Sequence, residues 1–527
     1  MAALMGLSAE ERRKRKKRKQ IMKVVIPLAL LVLLAGLVVG IQLVNRYNEK
    51  KRLEELAAQT TAAPKKSDLV ALSLDDLEEI TVLSADSVSG EEKTFIRTGE
   101  DRTWKWKNNT ALNLNKTLIG GLVDNVAKIT SIDTISDDLE TNSEVYGLKD
   151  PAHTIKIRTT EGEEIEIYVG SKSPSGTYYF MAVKGDNHIY MLGPTLYSYL
   201  VRELAEYIEL EKFPELAETQ FYSLSVTKPG ETSPIVGMYS PEDLLEVDRM
   251  ALSLWYFPLT TSGRYESMDY DKGKQLNEAI LGVSYSGCVR AMPTEEDLKE
   301  FGLKDDATKI TLTYKQYGVE VQPDGSLLYE KKQIRLLIGK EMQYNDMTYY
   351  YAQLDGTGPV FRILKKGGMD YIMESFTKEN MMTLLPSQIQ IANVDRIKLI
   401  YKGKEHNFEI RRETKTDADG KETTVERFFG DGKEFDDSSF RSFYSMLASL
   451  SANQYLAPEK TKKDAEVILD YEFFTNYGEN ETKHIRLLEY DDNASQLEID
   501  GEILYLVNRT ERKKIESNIE NVLSALE

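Results

Sequence analysis

One cysteine and four histidines among 527 residues leave little material for several kinds of chemistry. Cys288 alone rules out an internal disulfide framework, and a lone thiol is chiefly a small core hydrophobe. An exported protein without disulfides is ordinary in many bacteria, so this count fixes no compartment. His153, His188, His406 and His484 stand far apart, in or near strand-like stretches, and show no metal-ligand spacing. The chain has no Walker loop and no G-x-G-x-x-G. "SVTK" at 225–228 has the S-x-x-K form, but no K-T-G accompanies it, and "GVSYSG" at 282–287 carries Ser286 where G-x-S-x-G needs glycine. "DADGKE" (417–422) lacks the twelve-residue calcium-loop spacing and reads as a polar hairpin turn. "DDNASQLEIDGE" (491–502) likewise reads as a solvated loop and turn. No catalytic residue, metal ligand or cofactor site is expected.

What the chain does have is length and acid. At 527 residues it is too long for a single core, and about 100–200 residues per domain predicts roughly three. The formal charge of −19 is uneven: residues 1–23 hold nine Lys/Arg against Glu10 and Glu11, which leaves the rest strongly acidic. An acidic body repels nucleic acid and anionic membrane surfaces, so nucleic acid is not an expected partner.

Between Lys23 and Arg46 lie 22 residues without a charge. At about 1.5 Å per residue, a helix of that length crosses a hydrocarbon core of roughly 30 Å. The run exceeds a signal-peptide core and no small-x-small site follows it promptly, which predicts an uncleaved anchor. "RRKRKKRK" at 12–19 then reads as a topology signal that keeps the amino terminus inside. Gly36 and Gly40 form a G-x-x-x-G, the spacing through which two such helices would pair as a homodimer. "NEKKRLEELAAQ" (48–59) and "TTAAPKKSD" (60–68) follow as a polar helix and a stalk.

Beyond residue 75 the chain repeats itself. "YGLKDPAHTIKI" (146–157) returns as "FGLKDDATKITL" (301–312). Gly147 and Gly302 sit where a short helix needs a left-handed residue to stop, so the phrase reads as a helix stop followed by a strand start. Thr294 with Asp297 fits a capping box ahead of the second copy. "EEIEIYVG" (163–170) matches "KQIRLLIG" (332–339), and the second copy carries additional residues around 318–330 that read as an extra hairpin. "EEITVLS", "KTFIRTG" and "RTWKWK" predict a three-stranded meander, with Trp104 and Trp106 on one face. Leu114, Leu118, Leu122, Val126 and Ile129 form the stripe of a helix that covers it. A third, degenerate copy begins near 389, with Phe440, Tyr444 and Leu447 as its helix stripe.

The predicted class is α+β: a single N-terminal transmembrane helix followed by about three tandem related units of antiparallel or mixed sheet with packed helices. Its divisions are a basic cytoplasmic tail (1–23), the span (24–45), a juxtamembrane helix and linker (46–75), and repeat units at 76–213, 214–386 and 387–527.

The succession Trp104/Trp106, Tyr146-Gly147-Leu148-Lys149-Asp150-Pro151, Val169-Gly170 and Tyr178-Tyr179 resembles a bacterial membrane-anchored family labelled only as a domain of unknown function. The likeness is good over 76–208, partial over 217–380, where Asp306 replaces the proline and W-x-W is missing, and weak beyond. Relatives of that family are often encoded beside gliding-motility-type ABC transporters. The resemblance therefore implies an envelope protein partner and supplies no catalytic residue.

These readings converge on a non-enzymatic, membrane-anchored extracytoplasmic scaffold or binding protein, accessory to an ABC-type transporter or envelope assembly. Two alternatives stand beside it. An extracellular hydrolase would need converging acids in a cleft. A solute- or glycan-binding receptor would need an aromatic groove with Trp104 or Trp255 exposed.

Overall fold

Strands dominate because alternating apolar residues recur along the chain, as in "HTIKIRT", where His153, Ile155, Ile157 and Thr159 are buried and Lys156 and Arg158 exposed. The computed structural model describes residues 66–526 apart from 88–89, 137, 250, 260–262, 323–324, 326, 417–421 and 478–480. The chain divides into two compact units, one ending at Glu209 and the other starting at Leu210.

The first unit holds an eight-stranded sheet. Its order in space is Thr103–Trp106, Lys93–Thr98, Leu77–Ser84, His153–Thr159, Glu164–Lys172, Tyr179–Val183, Ile189–Leu192 and Asp133–Ser136. The chain therefore lays a meander of three strands outward from the centre. It then crosses by the helix Lys116–Ala127 to the far edge, and returns beside its own first strand for a meander of four. Ile80 faces Ile157 and Val82 faces Ile155 across the central pair, all buried. Leu122, Val123 and Val126 of the helix are buried too, so its stripe joins the core.

The second unit contains this plan twice, in two nine-stranded sheets. Phe221–Thr227 pairs with Thr308–Val321, and Val394–Tyr401 pairs with Val467–Thr475, just as Leu77–Ser84 pairs with His153–Thr159 in the first unit. Each sheet again has a twelve-residue helix between its two meanders, Tyr270–Leu281 and Asp437–Ala448. Each adds one short edge strand, Tyr265–Ser267 or Lys433–Phe435. The extra residues near 318–330 lengthen two existing strands, Thr308–Val321 and Leu327–Tyr344, instead of making a separate hairpin.

Two parts of the predicted class are corrected. Every strand pair among the described residues is antiparallel, the first of the two pairings expected, and strand outweighs helix, so the body is a set of antiparallel sheets and not α+β. The physical reason is the connectivity: each link between neighbours is a hairpin, or a return that brings the chain back in the opposite direction. Nor does the described fold contain a membrane-crossing helix, because no helix among the described residues is long and apolar enough. The longest, Arg509–Leu526, is rich in charge and buries only one side, at Ile515, Ile519, Val522 and Leu526. The expected span at 24–45, with Gly36 and Gly40, lies outside the described residues, as does most of "DADGKE".

Candidate functional site: an apolar cavity in the second repeat

The second sheet presents one continuous aliphatic face. Leu224 lies opposite Leu312, Leu312 opposite Ile334, and Ile310 opposite Leu336, so the register stacks five apolar side chains side by side. Beside this face opens a cavity of about 650 Å³. The end of the helix Tyr270–Leu281 closes one side with Ile280 and Leu281, the chain just after it adds Val283, Ser284 and Tyr285, and Met369 and Ile372 complete the wall.

The last covering element is interrupted in this repeat. After its final strand the first repeat enters the helix Pro194–Leu200, and the third enters Arg509–Leu526. The second instead runs through two short turns, Lys365–Met369 and Tyr371–Ser375. Gly367 and Gly368 break it at φ +104° and +150°, and a Cβ at Gly368 would meet the Ala279 carbonyl oxygen at 2.6 Å.

The roof is an extended strap, residues 210–216. Pro214 disfavours helix at Phe213 and keeps the strap extended. Leu210, Phe213 and Leu216 are half-buried and line the cavity, while Glu211, Lys212 and Glu215 are exposed at its mouth. The Phe213 ring packs 4.7 Å from that of Tyr285, which stacks in turn on Phe361 at 4.4 Å. The Tyr285 hydroxyl is buried without a hydrogen-bond partner among the described residues, and burial pushes its ionisation well above the ordinary phenol range.

The other titratable groups that the fold gathers serve packing. In the first unit Ser84 Oγ lies 2.9 Å from both Lys93 Nζ and His153 Nδ1. A serine, a lysine and a histidine in contact suggest nucleophilic catalysis. However, Lys93 is 2% exposed and also donates to the Leu200 and Arg202 carbonyls at 2.7 and 2.8 Å. All three ammonium protons are thus engaged, two of them on carbonyls at and just beyond the end of a helix. Burial pushes Lys93 down to about 8, leaving it a cation at neutral pH, and burial with the neighbouring Lys93 charge pushes His153 down to about 4.

In the second unit Arg264 binds Asp248 at 2.6 Å, Asp500 at 3.1 Å and the Thr482 carbonyl at 2.7 Å. Tyr505 donates to the buried Glu266 at 2.9 Å. These contacts join the second sheet to the third, between residues more than 200 apart in sequence. Burial pushes Glu266 up to about 7.

The remaining expected residues are scattered. Cys288 is buried. His188, His406 and His484 pair separately with Asp186, Asp431 and Asp470. Trp106 and Trp255 are buried, and half-exposed Trp104 sits under the Arg97 guanidinium, 5.2 Å from it. Ser225 lies in the strand Phe221–Thr227, and Val283, Ser284 and Tyr285 of "GVSYSG" line the cavity. In the third repeat a hollow of about 630 Å³ brings Glu466, Asp470, Glu489 and Glu516 around Lys402 and Arg512. Among the described residues no His, Cys, Asp and Glu form a group that could hold a metal. Sequence reading missed the cavity because its strap, "EKFPEL", read only as a domain junction.

A family model described as Domain of unknown function (DUF4340) matches residues 104–305 and again 268–470. The chain belongs to that DUF4340 family. Both matches begin ahead of a repeat's twelve-residue helix and end close to the return strand of the following repeat, Thr308–Val321 or Val467–Thr475. No curated protein and no solved structure matches the chain.

Proposed function

We propose that this DUF4340 chain is a non-enzymatic scaffold or binding protein. It is held at the outer face of a bacterial cytoplasmic membrane by its uncharged run at 24–45, with the basic tail inside, and is accessory to an ABC-type transporter or envelope assembly. The observation that supports this best is the use made of the repeated phrase. Gly302 stops the helix Glu295–Glu300 at φ +71° and Gly147 ends, at φ +68°, the turn that follows the helix Leu139–Asn142; the carbonyls of Tyr146 and Phe301 just before them accept from Ser171 and Lys340 at 3.0 and 2.9 Å. What the chain repeats is a packing device, and what it varies between copies is the surface and the cavity.

The 650 Å³ cavity favours the binding half of this reading, since concave apolar sites of roughly 300–1,000 Å³ are typical ligand pockets. Of the two tryptophans a glycan platform would use, Trp255 is buried, and Trp104 is half-exposed with the Arg97 guanidinium over its ring. The test is photo-crosslinking in living cells from exposed positions such as Val319 and Leu252, followed by identification of the adducts. A reproducible envelope or transporter protein among the adducts supports the proposal. Its absence, or resistance of the body to protease added to intact cells, overturns it.

A further inference from the structure

The three repeats correspond element by element around this region. In each, a segment precedes a 3-10 turn, Leu74–Asp76, Glu218–Gln220 or Ile391–Asn393, which leads into the first strand. In each, a twelve-residue helix is followed four residues on by the same position: Ser131, Tyr285 or Ala452. In the first repeat Ser131 N donates to the Ser67 carbonyl at 2.9 Å, and Asp68–Ala71 pairs with Lys128–Thr130 as a small ladder. In the third, Ala452 N donates to the Leu384 carbonyl at 2.9 Å.

The corresponding bond in the second repeat would run from Tyr285 N to the Glu211 carbonyl. It is not made, and no main-chain hydrogen bond joins 210–216 to 282–286 among the described residues. The cavity lies at the contact that the two sister repeats close.

We infer that the second repeat holds one esterified fatty-acyl chain in this opening, beneath the strap. The deep wall, Leu224, Ile310, Leu312, Ile334 and Leu336, is aliphatic and offers no side-chain hydrogen-bond donor or acceptor, so a polar solute would lose its water there without replacement. At ~30 Å³ per carbon-sized atom, the share of a water in its liquid, 650 Å³ takes on the order of twenty such atoms, which is one lipid chain. The mouth carries Glu211 and Glu215 against Lys212, and this excess of acid selects an uncharged ester over a free carboxylate. Phe213 and Tyr285, ring against ring, form the seam at which the strap lifts to admit the chain.

This inference rests on the binding half of the proposed function and is separable from the partner half. The full chain is reconstituted in phosphatidylcholine vesicles containing a trace of phosphatidylcholine with a diazirine near its acyl terminus. In a parallel arm it is mixed with the equivalent diazirine fatty acid. After illumination, adducts are expected in peptides spanning 210–216, 280–285 and 334–336, more from the phospholipid than from the acid. Added phosphatidylcholines should compete less well once their acyl chains are too short to fill the cavity.

Ile334→Trp fills the cavity from a half-buried position, and Leu281→Glu places a charge at its rim on a side chain 45% exposed; each should abolish those adducts while leaving in-cell partner crosslinks unchanged. Adducts unaffected by both variants, or labelling of these peptides no greater than elsewhere in the body, would overturn the assignment. Labelling by the free acid equal to or above that by the lipid would overturn the choice of an ester.

Discussion

Glu266 offers the sharpest numerical test of how the second unit is held together. Its carboxyl is 3% exposed and faces Tyr505, Lys483, Asp500, Asp248 and Arg264. Burial raises its folded-state pKa to about 7, from 4.5 in a solvated chain. The folded protein therefore keeps a proton that the unfolded chain releases. The stabilisation linked to that proton is complete below about pH 4.5 and is lost as pH rises through about 7.

At 1.36 kcal/mol per pKa unit, the whole effect is on the order of 3 kcal/mol, or about two orders of magnitude in an opening equilibrium. The variant Glu266→Gln keeps an acceptor for the Tyr505 hydroxyl and cannot ionise at that position. Hydrogen exchange of the strands Tyr265–Ser267 and Glu502–Asn508, compared between the two proteins at each pH, cancels the intrinsic exchange rate and the shared response of Asp500. Protection should be nearly equal at pH 5 and greater in the variant at pH 8. A gap that does not change with pH, or better protection of the original protein at pH 8, would refute the reasoning.

Other perturbations follow from the same contacts. Lys93→Met leaves the Leu200 and Arg202 carbonyls without their donor and should lower the first unit's stability by ~1–3 kcal/mol, read from the denaturant midpoint of Trp104 and Trp106 emission. Arg264→Met strands the carboxylates of Asp248 and Asp500 inside the second unit and should cost ~3–5 kcal/mol, with Arg264→Lys intermediate, by the same denaturant titration followed at Trp255. Two glycine substitutions should move thermal midpoints in opposite directions. Gly120→Ala fills open space in the helix Lys116–Ala127 and should stabilise by ~0.5–1 kcal/mol, whereas Gly339→Ala drives a methyl into the Phe301 carbonyl oxygen and should destabilise by more than that.

What could be read in advance was local. The capping box is present: Thr294 Oγ1 accepts from Asp297 N at 3.1 Å and Asp297 Oδ2 accepts from Thr294 N at 2.8 Å. Leu148 and Leu303 return their amides to Ser143 and Leu298 at 2.7 and 2.8 Å, as a left-handed stop requires. Leu114, Leu122, Val126 and Ile129 are buried as the helix stripe predicts and Leu118 is only half-buried, although the helix itself starts at Lys116 and ends at Ala127. Pairing direction was not legible, because alternation reports which face of a strand is buried and says nothing about its neighbour. Nor were the Ser84–Lys93–His153 and Arg264–Asp248–Asp500 clusters. Each assembles residues from separate parts of the chain whose spacing in sequence is set by loop lengths and not by the contact.

The third repeat shows why the glycines of the phrase come as a set. In the first repeat a Cβ on Gly170 would overlap the Tyr146 carbonyl oxygen, and in the second a Cβ on Gly339 would overlap that of Phe301. The helix stop therefore docks on the end of the neighbouring strand only if both surfaces lack a side chain. In the third repeat the register puts the buried Leu488 where Gly170 and Gly339 stand. There is no helix stop there either. The chain passes through a short 3-10 turn, Pro458–Lys460, and is tied down by side chains: Gln496 accepts from Lys462 N at 2.6 Å and donates back to its carbonyl at 2.9 Å. The strand order is unchanged by the exchange. A repeat thus loses the phrase as a unit while keeping its fold, because the phrase fixes one seam of the sheet and the apolar alternation of the strands fixes the rest.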